Sequence, residues 1–173
     1  METILIVDDN QDMRFTLSNI LREESYETIT AGDGERAIKE VKLKSPDLVL
    51  LDIKLPGIDG MKILEDMKKI DKDLIIIMLT AFGDLKDAVR AMRLGAFDYI
   101  TKPFDNEEML LIIKKALQTQ YLSREVEFLR KRLGEKSAIE EVMGESPQIK
   151  QALNHVNIIA PTNMTVILQG ESG

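Results

Sequence analysis

The chain has 173 residues and a mass of 19.6 kDa, enough for one complete domain with an extension but too short for two full ones. Its 44% hydrophobic and 31% charged residues describe an ordinary globular protein, and a net charge of −7 argues against nucleic-acid binding, which sets clustered Lys and Arg against phosphate. The lack of cysteine excludes disulfides, thiolate metal sites and thiol catalysis.

The chain opens directly into Ile4-Leu5-Ile6-Val7, a run of β-formers ending in Asp8-Asp9. No basic region and long apolar core of a signal peptide precede it, and no later run approaches bilayer-spanning length, so a cytoplasmic protein without membrane contact is expected. Met13, Leu17, Ile20 and Leu21 recur at helical spacing and predict a helix. Thr28-Ile29-Thr30-Ala31 reads as a weaker, edge-side strand stopped by Gly32-Asp33-Gly34, and Ala37, Ile38 and Val41 mark the helix after it. Pro46 and the Pro56-Gly57 turn bound a buried strand that ends at Asp52, and Met61, Ile63, Leu64 and Met67 define a helix beyond Gly60. Leu74 to Leu79 is another apolar strand, ending in Thr80, followed by a helix with Leu85, Ala88, Val89 and Met92 that Gly95 closes. Phe97-Asp98-Tyr99-Ile100 predicts a fifth strand leading into Thr101-Lys102-Pro103-Phe104, and a long helix starts near Asn106.

Strands and helices therefore alternate five times, which predicts an α/β fold: a doubly wound, five-stranded parallel sheet of flavodoxin-like type with helices on both faces. Right-handed crossovers bring the carboxyl ends of such strands to one rim, where ligands bind. The polar residues at those ends are Asp8, Asp9, Asp52, Thr80 and Lys102. Like-charged carboxylates in a nest raise one another's pKa, and a hard divalent cation relieves this; Mg²⁺ suits few carboxylates, retained waters and a phosphoryl oxygen. Lys102 adds a point positive charge and Thr80 a hydroxyl, which completes a cradle for a phosphoryl group in transfer. The rim offers no Cys, Ser or His, so the nucleophile must be a carboxylate and the product an aspartyl phosphate. No glycine occurs in Asp8-Asp9-Asn10-Gln11-Asp12, so a dinucleotide fingerprint is absent, and the single histidine, His155, reads as a helix-surface residue.

Residues 1–120 closely resemble the receiver domain of two-component response regulators. The resemblance rests on Asp8-Asp9, on Asp52 followed by Leu55-Pro56-Gly57-Ile58-Asp59-Gly60, on Thr80-Ala81, and on Lys102-Pro103. It implies that Asp52 is the phosphoacceptor, that Asp9 and Asp52 hold Mg²⁺ with the Lys54 carbonyl, and that Asp8 acts largely through water. It further implies that Thr80 and Lys102 bind phosphoryl oxygens, that the Lys102-Pro103 peptide is cis, and that a sensor histidine kinase is the donor. Phosphorylation is then expected to draw the Thr80 hydroxyl inward and to let Tyr99 turn from exposed to buried. A receiver-like interaction module that acts without phosphorylation is the competing expectation.

Beyond the receiver, the fifth helix is expected to continue as a dimerisation linker over residues 105–134, ended by Gly134. Leu122, Val126, Leu129 and Leu133 follow the spacing of a coiled-coil seam among charged neighbours. From Ser137 the register changes: a turn over Ile139–Pro147, a helix from Gln148 to Ala160, and a strand Met164–Gln169 that leads into Gly170-Glu171-Ser172-Gly173. Gly170 could be the first glycine of a P-loop whose remaining residues lie beyond 173. Together with Gly144-Glu145-Ser146-Pro147, this wording resembles the opening of the AAA+ ATPase domain of sigma-54-dependent transcriptional activators. Residues 137–173 are on that resemblance the start of such a domain. It implies that ATP, DNA and sigma-54 RNA polymerase are engaged only through parts of a longer protein, and that the present chain is itself no ATPase.

Overall fold

The computed structural model describes residues 1–81 and 85–143, together with Ser146, Gln151 and His155. Two units are distinguished, Met1–Ser123 and Arg124–Gly173. In the first, β1 (Thr3–Val7), α1 (Gln11–Glu23), β2 (Glu27–Ala31), α2 (Gly34–Lys44), β3 (Leu48–Asp52), α3 (Gly60–Ile70), β4 (Ile75–Ala81), α4 (Leu85–Arg93) and β5 (Asp98–Lys102) follow one another. The last helix, α5, runs Asn106–Met143.

The strands form one parallel sheet in the order β2-β1-β3-β4-β5. The continuous apolar runs of β1, β3 and β4 are explained by burial on both faces. Leu5, Val7, Val49, Leu51, Ile76 and Met78 point to one side, where Val41 of α2, Leu64 and Met67 of α3 and Ala91 of α4 cover them. Ile4, Ile6, Leu48, Leu50, Ile77 and Leu79 point to the other, against Leu17 and Leu21 of α1 and Met109 and Ile113 of α5. The expected doubly wound architecture is thus observed, with the weak strand β2 at an edge.

Local chemistry starts the helices where the pattern predicts. Asn10 caps α1, Asp33 caps α2 and Asp59 caps α3, each side chain accepting from a backbone N–H of the first turn. Asp105 does the same for α5, accepting from Glu107 N–H at 2.8 Å and Glu108 N–H at 3.1 Å. The acidic caps also complement the positive ends of the helix dipoles.

Several boundaries differ from the sequence expectation, most of them by a residue or two. The fifth strand begins at Asp98 rather than Phe97 and extends to Lys102, because the β4–β5 ladder continues in register from Ile77↔Asp98 to Ala81↔Lys102. The last helix does not stop at Gly134. It continues to Met143, through the segment 139–143 where a turn was expected. A glycine inside a helix costs only about 1 kcal/mol relative to alanine, and Gly134 is flanked by strong helix formers, Arg130-Lys131-Arg132-Leu133 before it and Glu135-Lys136 after it. Of the expected helix over 148–160 only Gln151 and His155 are described, both as helical, and the expected strand over 164–169 and loop Gly170–Gly173 lie outside the described residues.

Candidate functional site

Register alone brings the first carboxylates together. Val7 of β1 is paired with Leu51 of β3, so the next residues, Asp8 and Asp52, leave adjacent strands side by side at the carboxyl edge of the sheet. This edge is where the strand order reverses, since β1 lies between β2 and β3. Asp8 is 1% exposed and Asp52 7% exposed, so neither charge is solvated by bulk water. Asp9 remains exposed. One carboxylate oxygen from each of Asp8, Asp9 and Asp52 lies within 4.8 Å of the others, a donor set that suits a hard divalent cation.

Lys102 reaches these acids from the far side of β4. Its Nζ donates to Asp8 Oδ2 at 2.5 Å and to Asp52 Oδ2 at 2.6 Å. The remaining oxygens have backbone donors: Asp8 Oδ1 accepts from Asn10 N–H at 2.8 Å and Asp52 Oδ1 from Lys54 N–H at 3.1 Å. Burial and the neighbouring Asp8 hold the Asp52 carboxyl above its ordinary range, and the Lys102 and Lys54 hydrogen bonds offset this only in part. Burial disfavours the charged form of Lys102, yet its bonds to the two carboxylates prevail and raise its pKa.

The connection after Asp52 is held tightly. Gly60 donates to the Ile53 carbonyl at 2.9 Å, and Lys54 and Asp59 form an isolated antiparallel bridge, which folds residues 53–59 back over the strand end. A β-carbon on Gly60 would stand 2.5 Å from the Asp52 carbonyl oxygen and 2.7 Å from Ile53 Cα, so glycine is required by close backbone approach. Gly57, with φ +82°, supplies the left-handed turn residue.

Thr80 is buried near the end of β4, paired in register with Thr101. The Lys102-Pro103 peptide bond is cis. Tyr99 is 36% exposed on β5 and lines a cavity of about 350 Å³ with Ala88, Val89, Met92 and Arg93 of α4.

Comparison with known proteins gives the family. The sequence profile of the response regulator receiver domain matches residues 4–114. The chain belongs to the response regulator receiver family. Over 116 residues it is 43% identical to sporulation initiation phosphotransferase F of Bacillus subtilis, covering 67% of this chain and 94% of that protein. Over 170 residues it is 36% identical to the regulatory protein AtoC of Escherichia coli, covering 98% of this chain but 37% of AtoC. The crystal structure of NtrX from Brucella abortus superposes with a TM-score of 0.74 at 38% identity, covering 94% of this chain and 36% of that one. The chain thus spans a little over a third of the length of AtoC and NtrX.

In this receiver the structure gathers Asp8, Asp9, Asp52 and Lys102 into one cluster, while Tyr99 stands on the surface beside α4. In the extension, Leu122, Val126 and Leu129 are 52%, 47% and 50% exposed in the single chain; the Leu133 side chain lies outside the described residues. Among the described residues no helix is long and apolar enough to cross a membrane.

One contributor was absent from the sequence reading. Arg14 of α1 donates from Nη1 to the main-chain carbonyls of Asp8 at 2.6 Å and Asp9 at 3.0 Å. Its signal was available: side chains on a helix point back toward the N-terminus. A long residue one turn into a helix that starts two residues after Asp9 therefore reaches over the acidic pair.

Proposed function

We propose that this chain is the phosphorylation-controlled regulatory portion of a two-component transcriptional activator. The observation that carries the reading is the Lys102 ammonium held by Asp8 and Asp52 beside Asp9. It keeps an otherwise self-repelling set of acids assembled, and it leaves a fixed positive charge where a phosphoryl group on Asp52 would place its oxygens.

In this reading Asp52 is the phosphoacceptor. A carboxylate oxygen of Asp52 attacks the phosphorus of a phosphohistidine on a sensor kinase, the P–N bond breaks, and the released imidazole takes up a proton. Asp8, Asp9, Asp52 and the Lys54 carbonyl are the residues that would hold Mg²⁺, which when bound offsets the negative charge of the acids and the phosphoryl group. Lys102 and Thr80 bind phosphoryl oxygens. Engagement of Thr80 vacates space into which Tyr99 turns from exposed to buried, which alters the surface formed by α4, β5 and α5.

Residues 1–120 are the receiver and residues 105–134 are its fifth helix continuing as a dimerisation linker, within a helix that runs on to Met143. Residues 137–173 are the start of an AAA+ ATPase domain, with Gly170, Glu171, Ser172 and Gly173 as the first part of a P-loop. Relatives named as DNA-binding transcriptional regulators, and NtrX structures in complex with ADP and ATP, support a longer protein of this kind. In that protein, dimer rearrangement through the linker governs ATPase assembly and sigma-54-dependent transcription, and ATP and DNA bind outside this chain. The chain by itself transfers a phosphoryl group to itself and hydrolyses no ATP. A cytoplasmic location follows from the same reading.

The test is intact mass after incubation with Mg²⁺ and acetyl phosphate, for the chain and for Asp52→Asn. One phosphate adduct that vanishes in the variant is expected. No adduct in either would overturn the switch and leave a receiver that binds partners without phosphorylation; an adduct that survives Asp52→Asn would place the acceptor elsewhere.

A further inference from the structure

The acidic pair is gripped from two sides. The Asp8 carboxylate is engaged by Asn10 N–H and Lys102, whereas the carbonyl oxygens of Asp8 and Asp9 both accept from a single nitrogen of Arg14. The same guanidinium lies 3.3 Å from the position a β-carbon would take on Gly32, at the turn after β2, so it is packed against the neighbouring strand end. Arg14 is half-buried, which adds to the restraint on its geometry. Asp9 is exposed, and among the described residues no hydrogen bond holds its side chain, so its backbone is what sets where its carboxylate stands.

We propose that Arg14 is a positioning residue for divalent-cation binding. By bridging the carbonyls of Asp8 and Asp9 it fixes the backbone from which both carboxylates face Asp52. The proposal rests on the reading of Asp8, Asp9 and Asp52 as a cation site.

Two effects of Arg14 have opposite signs. As a charge, a guanidinium near the cluster repels a dication, so its removal should tighten binding. As a brace, it preorganises the ligands, so its removal should weaken binding, by roughly 10-fold on the scale seen when residues supporting metal ligands are lost.

The experiment is a Mg²⁺ titration of the whole unphosphorylated chain, followed by amide chemical shifts. It compares the parent with Arg14→Met, Arg14→Lys and Asp9→Asn, with metal-free melting curves for each. Arg14→Met is expected to weaken Mg²⁺ binding about 10-fold. Arg14→Lys keeps the charge but is one bond shorter, and is expected to weaken it in the same direction. Binding that is unchanged or tighter in Arg14→Met overturns the proposal. If that variant fails to fold, Arg14→Lys decides, and affinity equal to the parent's overturns the proposal. Asp9→Asn separates the two layers: if it leaves Mg²⁺ binding intact, the cation is not held by the acidic cluster and the underlying reading has failed, taking the role of Arg14 with it.

Discussion

Lys102 Nζ and Asp52 Oδ2 lie 2.6 Å apart although their strands, β5 and β3, are separated by β4. The same ammonium is 2.5 Å from Asp8 Oδ2, so one cation from the sheet edge bridges acids at the ends of two inner strands. Removing a partner from a buried ion pair leaves an uncompensated charge, which is far more costly than losing an exposed pair. Lys102→Met should therefore destabilise the metal-free chain by about 3 kcal/mol. Mg²⁺ should restore part of that loss, since a dication can take over the neutralisation. Urea unfolding with and without MgCl₂ checks both parts; a variant as stable as the parent would show that the acids tolerate each other unaided.

Asp52 should oppose folding at neutral pH. Its carboxyl is held above the ordinary value of 3.8, chiefly by burial, so the folded chain binds this proton more tightly than the unfolded chain does. The stability associated with that proton is complete below pH 3.8 and is lost as pH rises through the higher folded pKa. Lys102 also has a raised pKa, so its contribution is present below pH 10.5 and is lost only as pH rises through its own folded value. Asp52→Asn removes the first effect while preserving shape, and should raise the melting temperature of the chain at pH 7. The advantage should shrink toward pH 4. Melting curves of both proteins across this range test it, and a variant less stable than the parent at pH 7 would refute it.

The sheet and the acid cluster were legible because they follow from strand pattern and register. Ile4–Val7 and Leu48–Leu51 are apolar without alternation, which states burial on both faces, and a parallel sheet then carries Asp8 and Asp52 to the same edge. What stayed hidden depends on reach and context. Arg14 looks like any charged residue on a helix until its backward reach over the Asp8–Asp9 carbonyls is seen. Gly134 carries the mark of a helix stop, but a single glycine is a weak penalty against strong helix formers on both sides. The ends of β5 were misplaced because the ladder with β4, rather than local propensity, sets them.

Gly60 offers a backbone test of the site. A methyl group there would press on the Asp52 carbonyl at 2.5 Å and on the Ile53 carbonyl at 2.8 Å, and neither is a flexible side-chain end. Relief requires the Ile53–Asp59 connection to shift, which disturbs the Lys54 N–H bond to Asp52. Gly60→Ala should cost roughly 2 kcal/mol, within the range for overpacking in a tightly fitted region. It should also slow acetyl-phosphate labelling of Asp52. Paired measurements of melting and labelling rate check this; a slowed rate without loss of stability would place the strain in the site alone.

The extension of α5 carries exposed leucines. Leu122, Val126 and Leu129 recur along α5 at the spacing of a two-helix seam, and each is about half exposed in the single chain. Burying one such side chain contributes roughly 1.5–3 kcal/mol, so a pair of helices that covers these residues has an appreciable driving force. Tyr121 and Phe128, 67% and 58% exposed, lie outside this seam, each about 100° round the helix from the leucine that follows it. At the root of the helix, Gln120 Nε2 donates to the Asp73 carbonyl at 3.1 Å, which anchors α5 to the segment before β4. Replacing Leu122 and Leu129 with Gln should therefore convert a dimer into a monomer in sedimentation velocity at micromolar concentration, with the melting of the receiver unchanged because neither side chain belongs to its core. A dimer that persists in the double variant would locate the association on another surface, and a monomeric parent would leave these leucines for a different partner.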